Sequence, residues 1–126
     1  MRSRPLSDAF YLLPDLSPDP PRRGPRATPL RRDEALALLR EHAPEIERRT
    51  NIRPVALFGS VARDEATVDS DVDVLAESAG PGGWTELLQA EEYLEELFDS
   101  RVDLVFWDNL KPRIRPYVAR DLLRVA

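Results

Sequence analysis

Three short apolar runs, at residues 55–58, 72–75 and 102–106, set the first limit on what this chain can fold into. Each is four or five residues long, too short for a helix with a buried stripe and the right length for a strand. The segments between them carry helical periodicity instead. Leu36, Leu39, Ala43 and Ile46 make one buried stripe before the first run. Leu87, Ala90, Tyr93, Leu94, Leu97 and Phe98 make another before the third, with Glu86, Glu92, Glu95 and Glu96 turned towards water. The order is helix, strand, helix, strand, helix, strand, helix. That pattern predicts an α+β domain of two layers, a small sheet with helices packed on it.

Local signals mark the element ends. Thr28 and Pro29 predict the start of the first helix, Thr as cap and Pro in the first turn. Pro44 predicts a kink or a division of that helix. His42, the single histidine, reads as a surface or capping residue. Pro54 precedes the first strand, and a short helix is expected over about residues 61–66. Gly80, Pro81, Gly82 and Gly83 form a loop before the helix at 84–98. A last short helix is expected within 111–120, with Leu122, Leu123 and Val125 closing the domain as a short strand or tail.

The 126 residues suit one domain with one modest core. Residues 1–28, with Pro5, Pro14, Pro18, Pro20, Pro21 and Pro25, read as a flexible arm, leaving 29–126 as the domain. Phe10, Tyr11, Leu12 and Leu13 are the apolar exception in that arm. The chain has no cysteine, which excludes disulfides and thiolate metal sites. No apolar run approaches a membrane span, and the proline- and arginine-rich start is unlike a signal peptide, so a cytoplasmic location is expected. Residues 1–32 hold seven Arg and three Asp, net +4, whereas 33–126 hold 11 basic and 20 acidic residues, net −9. A body of that charge is a poor direct binder of nucleic acid. Trp84, Trp107, Phe10 and Tyr11 are candidates for a protein interface.

The chemistry is concentrated around the strands. Asp71 and Asp73 are two residues apart, so their side chains share a face of a strand. Two adjacent carboxylates in apolar sequence repel each other and resist burial, which a divalent cation would relieve. A solvated strand edge or an Asx turn at 69–71 would also account for an isolated pair. Gly59 and Ser60 follow the first strand directly. Glycine allows a ligand close to the backbone, and the next turn offers free N–H groups to a phosphate. Asp103 lies inside the third strand, where aspartate is depleted, and a neighbouring strand would bring it beside the pair. A salt bridge to Arg101 is the bland alternative. Arg63, one helical turn after Ser60, either reaches a phosphate or pairs with Asp64, Glu65 or Asp69.

The run Gly59-Ser60-Val61-Ala62-Arg63, the later Ser70-Asp71-Val72-Asp73-Val74 and the distal Val102-Asp103-Leu104 closely resemble the minimal nucleotidyltransferase domains of the DNA polymerase β-like superfamily. The resemblance covers about residues 30–125. It implies a small mixed sheet of the polymerase β palm type, with ATP as substrate and two magnesium ions. It implies nucleotide binding by Gly59, Ser60, Arg63 and Ser70, and metal binding and catalysis by Asp71, Asp73 and Asp103. Small members resemble antitoxins encoded beside HEPN-domain toxins, and some transfer AMP to a tyrosine of that partner. The expected function is therefore transfer of AMP from ATP to a protein hydroxyl. A non-catalytic module that blocks its partner by occlusion is the alternative, and a small-molecule (antibiotic) nucleotidyltransferase a further one. The family usually has glycine after the arginine, and Asp64 here departs from that. If its carboxylate points inward it opposes the triphosphate; if outward it is harmless.

Overall fold

The structure, a computed structural model, describes residues 26–125. The elements run α1 (Arg32–Thr50), β1 (Ile52–Phe58), α2 (Gly59–Ala62), β2 (Val72–Ser78), α3 (Trp84–Phe98) and β3 (Val102–Phe106). A 3-10 turn (Trp107–Asn109), α4 (Arg115–Arg120) and β4 (Leu123–Arg124) follow. The strands form one four-stranded sheet in the order β3-β2-β1-β4. β2 and β3 are parallel, while β1 is antiparallel to both β2 and β4, so the sheet is mixed as the resemblance implies.

The core lies between this sheet and the pair α1 and α3. Leu39, Ile46, Leu94 and Phe98 from the helices meet Leu57, Val72, Val74 and Val102 from the sheet, all of them buried. Each such side chain contributes roughly 1.5–3 kcal/mol by leaving water. Strand alternation then decides where the carboxylates go. Val72, Val74 and Ala76 point at the helices, so Asp73, Leu75 and Glu77 project from the opposite face. Val102 and Leu104 do the same for Asp103.

β1 reaches this arrangement through an irregularity. Its pairing with β2 shifts between Pro54 and Ala56. The extra residue resets the alternation, so Ile52 and Leu57 both join the helix-side core despite odd spacing. It also sets Phe58 directly opposite Asp73. The strand starts at Ile52 rather than after Pro54. Pro54 is matched with Ala76 of β2 next to the irregularity, where proline is tolerated, and it has no partner on β4.

Several local expectations need correction. α1 begins at Arg32, not at Thr28, because its first-turn N–H is met by a distant carboxylate: the Arg32 N–H donates to Asp64 Oδ1 at 2.9 Å. Pro44 does not divide α1, which continues for 19 residues with the proline exposed and Ala43 and Ile46 buried on the core side. Packing of that stripe outweighs the missing hydrogen bond. His42 is half-buried and its Nδ1 lies 2.7 Å from the Tyr93 hydroxyl, joining α1 to α3 rather than sitting on the surface or at a cap. The helix expected at 61–66 is the single turn α2, and α4 is confined to Arg115–Arg120 with Pro116 in its first turn. α3 keeps its expected bounds; Gly83 N–H donates to the Glu86 carboxylate at 2.7 Å to open it, and Asp99 in the left-handed region closes it.

Most of the arm expected at 1–28 lies outside the described residues. Its last part is bound to the body: the Arg26 N–H donates to the Val68 carbonyl at 3.0 Å, and its guanidinium donates to the Phe98 carbonyl. Among the described residues no helix is long and apolar enough to cross a membrane.

The Pro44→Ala variant should be more stable than the natural chain. Alanine restores an N–H to the Arg40 carbonyl inside α1, and we expect a gain of about 1–2 kcal/mol after the lost rigidity of the unfolded chain is allowed for. Thermal unfolding followed by circular dichroism reads this directly. An unchanged or lower midpoint would show that α1 carries a bend that the proline relieves.

Candidate active site

The site is assembled at the end of β1 and the start of β2. Gly59 closes β1 with φ +74°, a conformation that other residues rarely adopt. A Cβ placed on it would lie 2.1 Å from Asp73 Oδ2 and 3.1 Å from Asp73 Cγ. The Asp73 carboxylate therefore occupies the space that the missing side chain leaves. Ser60 follows, half-buried, and its carbonyl accepts the Glu65 N–H at 2.8 Å to close the turn. With α2 only four residues long, the backbone N–H groups of one turn are what it can offer an anion, not the dipole of a long helix.

The parallel register sets Asp73 beside Asp103 on the adjacent strand, and Asp71 precedes Asp73 by two residues. All three carboxylates thus belong to one patch on the sheet face that α1 and α3 leave uncovered. Asp71 and Asp103 are exposed, and Asp73 is half-buried. Burial, followed by the charges of Asp103 and Asp71, pushes the Asp73 carboxyl up to about 6, while Arg63 acts in the opposite sense. Half-burying one acid between two others concentrates negative charge that Arg63 only partly offsets among the described residues. This is a set of hard oxygen donors, suited to a cation such as magnesium that takes further ligands from phosphate and water. Among the described residues no group of three His, Cys, Asp or Glu side chains converges as a ready-made metal cage.

The remaining predicted residues divide. Arg63 pairs with Glu65 at 3.0 Å and with Asp121 at 2.7 Å, and it stays close enough to Asp73 to act on its carboxyl. Asp64 does not face the patch. Its Oδ1 accepts from Arg31 Nε at 3.1 Å and from the Arg32 N–H, and its Oδ2 accepts from Arg31 Nη2 at 2.8 Å. These donors hold the Asp64 carboxyl well down, at about 2. Ser70 Oγ accepts the Thr67 N–H at 2.8 Å, so it shapes the turn leading into β2. Asp121 and Arg31 were not legible as site neighbours, since they lie 58 and 33 residues from the groups they bind. The only advance signal was Asp64 standing where glycine is usual.

A cavity of about 840 Å³ opens elsewhere, lined among others by Leu75, Trp84, Phe106 and Trp107. The three carboxylates do not line it, although Leu75 is two residues from Asp73 on the same strand face. Trp84 is exposed at its rim.

Residues 39–124 match the nucleotidyltransferase domain family, and the chain belongs to that family; it is a nucleotidyltransferase. Among curated relatives it is similar to the protein adenylyltransferase MntA of Thermococcus cleftensis, with 38% identity over 93 residues, 74% of this chain and 94% of the relative. Among solved structures it is similar to a minimal nucleotidyltransferase, with 36% identity and a TM-score of 0.61 over 71% of this chain and 92% of the other. It shares its fold, at 18% identity and a TM-score of 0.52 over 72% of this chain and 71% of the other, with a chain in the complex of the tri-AMPylated Shewanella oneidensis HEPN toxin and its MNT antitoxin.

Asp73 should cost the folded state stability at neutral pH. Its folded carboxyl titrates near 6, above the ordinary value of 3.8, so the folded protein holds the extra proton between those values. Stability from this group is therefore full below about pH 4 and declines as pH rises through 6. Asp73→Asn should raise stability at pH 7 by about 1 kcal/mol, after discounting the shift for solvent screening, and change it little at pH 4. Urea unfolding of both proteins at the two pH values measures the difference; equal gains at both would place the effect outside titration.

Proposed function

We propose that this nucleotidyltransferase transfers AMP from ATP to a hydroxyl of a protein acceptor, and that the acceptor is a HEPN-domain toxin that it holds in check as an antitoxin in the cytoplasm. The observation that carries the reading is the patch of Asp71, Asp73 and Asp103 set against the Gly59 turn. The adenylyltransferase name of the 38% identical relative supports AMP as the transferred group. The HEPN complex of the shared fold supports the partner.

In this reading Ser60 and the backbone N–H groups after Gly59 bind the triphosphate. Asp71 and Asp73 hold magnesium, with Asp103 completing the set. Magnesium held there would supply charge neutralisation along the polyphosphate and ease the departure of pyrophosphate. Asp103, exposed beside Asp73, accepts the proton of the acceptor hydroxyl as its oxygen attacks the α-phosphorus. The bond from that phosphorus to the bridging oxygen breaks, pyrophosphate leaves and the acceptor carries AMP. Arg63, already shared between Glu65 and Asp121, contributes positive charge near Asp73 and the phosphates. Occlusion without catalysis loses one of its motives, because the Asp64 carboxylate is bound to Arg31 and Arg32 and does not oppose a triphosphate at the turn.

Incubation with α-labelled ATP, magnesium and the HEPN protein encoded beside this chain tests the proposal. Label should appear on the partner, fall by about 10²-fold or more in Asp71→Asn, and vanish when a chelator removes magnesium. Partner protection by Asp71→Asn/Asp73→Asn without any labelling would establish the occlusion reading instead.

A further inference from the structure

α2 is a single turn, and a helix of that length has no stability of its own. Val61 and Ala62 anchor it in the core, and the ties that set its ends, and with them Gly59 and Ser60, are made by the residues that follow. Two adjacent residues supply them in opposite directions. Arg63 reaches Asp121, just before β4. Asp64 reaches back to the start of α1, where it takes two bonds from the Arg31 guanidinium and one from the Arg32 N–H. Asp64 itself adopts φ +60°, a left-handed conformation that glycine enters freely and that aspartate and asparagine tolerate better than other residues. The Asp64 N–H donates to the Val61 carbonyl at 3.0 Å, which closes the turn on which the clamp is mounted.

We propose that Asp64 is a positioning residue: it clamps the Gly59-Ser60 turn to the N-terminus of α1 and so fixes the turn for the triphosphate. The inference rests on reading that turn as the triphosphate site. Glycine, usual at this place in the family the chain resembles, meets the backbone requirement but can make no tie. Aspartate keeps the conformation and adds three hydrogen bonds. The same bonds engage its charge on the α1 side, so the anion beside the turn does not repel the substrate. Arg31, 72% exposed, is the outer jaw.

The variants Asp64→Gly, Asp64→Asn, Asp64→Ala and Arg31→Ala separate backbone from clamp. Asp64→Gly and Asp64→Ala should each raise the KM for ATP about fivefold and leave kcat within about twofold. Asp64→Asn, which keeps one acceptor for the Arg32 N–H, should fall between them and the natural chain. Arg31→Ala should weaken ATP in the same sense, and Arg31→Ala/Asp64→Ala should be no worse than Asp64→Ala, as two halves of one clamp require. Amide hydrogen exchange without nucleotide should be faster at residues 59–64 in Asp64→Gly. If Asp64→Gly keeps the natural KM and exchange, or if Asp64→Ala lowers the melting point without moving KM, the proposal is wrong. Ser60→Ala is the control for the underlying reading. If it raises the KM while the Asp64 variants do not, only the clamp falls; if it too leaves the KM unchanged, the triphosphate reading falls and takes the clamp with it.

Discussion

The contact on which the rest of the site depends is between an absent side chain and a present one. Asp73 places its carboxylate where Gly59 would have a Cβ. Neither residue has that meaning alone. Gly59 permits a sharp exit from β1, and Asp73 is an acid in an otherwise apolar strand. Together they fix the distance between the turn that begins α2 and the carboxylates on β2 and β3. Any larger residue at 59 would have to displace Asp73, and the positive φ would strain it besides. The turn and the acids therefore form one mechanical unit, joined through the backbone of β1.

The sheet makes the unit possible by bringing distant acids into register. Asp103 is 30 residues from Asp73 in the chain but its direct neighbour in the parallel pair. The parallel pairing requires a crossover, and α3 provides it, which also covers the opposite face with Ala90, Leu94 and Phe98. The same geometry that buries the core thus exposes the acids. The shift in β1 near Pro54 serves both sides of the sheet: it returns Leu57 to the core and turns Phe58 towards Asp73. Apolar packing and site construction are two outcomes of one alternation.

Much of this was legible from residue order. The three strands, the bounds of α3, and the pairing of Asp71 and Asp73 on one face follow from period and spacing. The residues of the candidate site could be picked out because they sit beside strong local signals: a glycine after an apolar run, and acids inside apolar runs. What escaped was set by contacts with no local trace. The start of α1 depends on Asp64, and Thr28 and Pro29 offered a local cap that the fold does not use. Pro44 reads as a breaker until the buried stripe on both sides of it is weighed as a whole. His42 looks solitary because its partner, Tyr93, is 51 residues away. Arg63 offered several near partners in sequence, and it chose Glu65 and the remote Asp121.

The acid patch also explains why binding and folding should be coupled in this protein. A carboxylate raised by burial and by two neighbouring acids is a liability to an empty fold, since the charge that would attract a cation repels itself without one. Ligands that bind only the folded arrangement reverse this cost in proportion to their concentration over their dissociation constant. The ties made by Asp64 lie on the other side of the turn, where they hold α2 before any ligand arrives, while Arg63 joins the turn to Asp121 and stays near Asp73. One set of charges is left unsatisfied on the patch side of the turn, and another is engaged on the side that meets the scaffold. A turn of four residues can be held in place and still present an electrostatic demand only if those two sets are kept apart, and the left-handed step at Asp64 is what turns its carboxylate to the scaffold side.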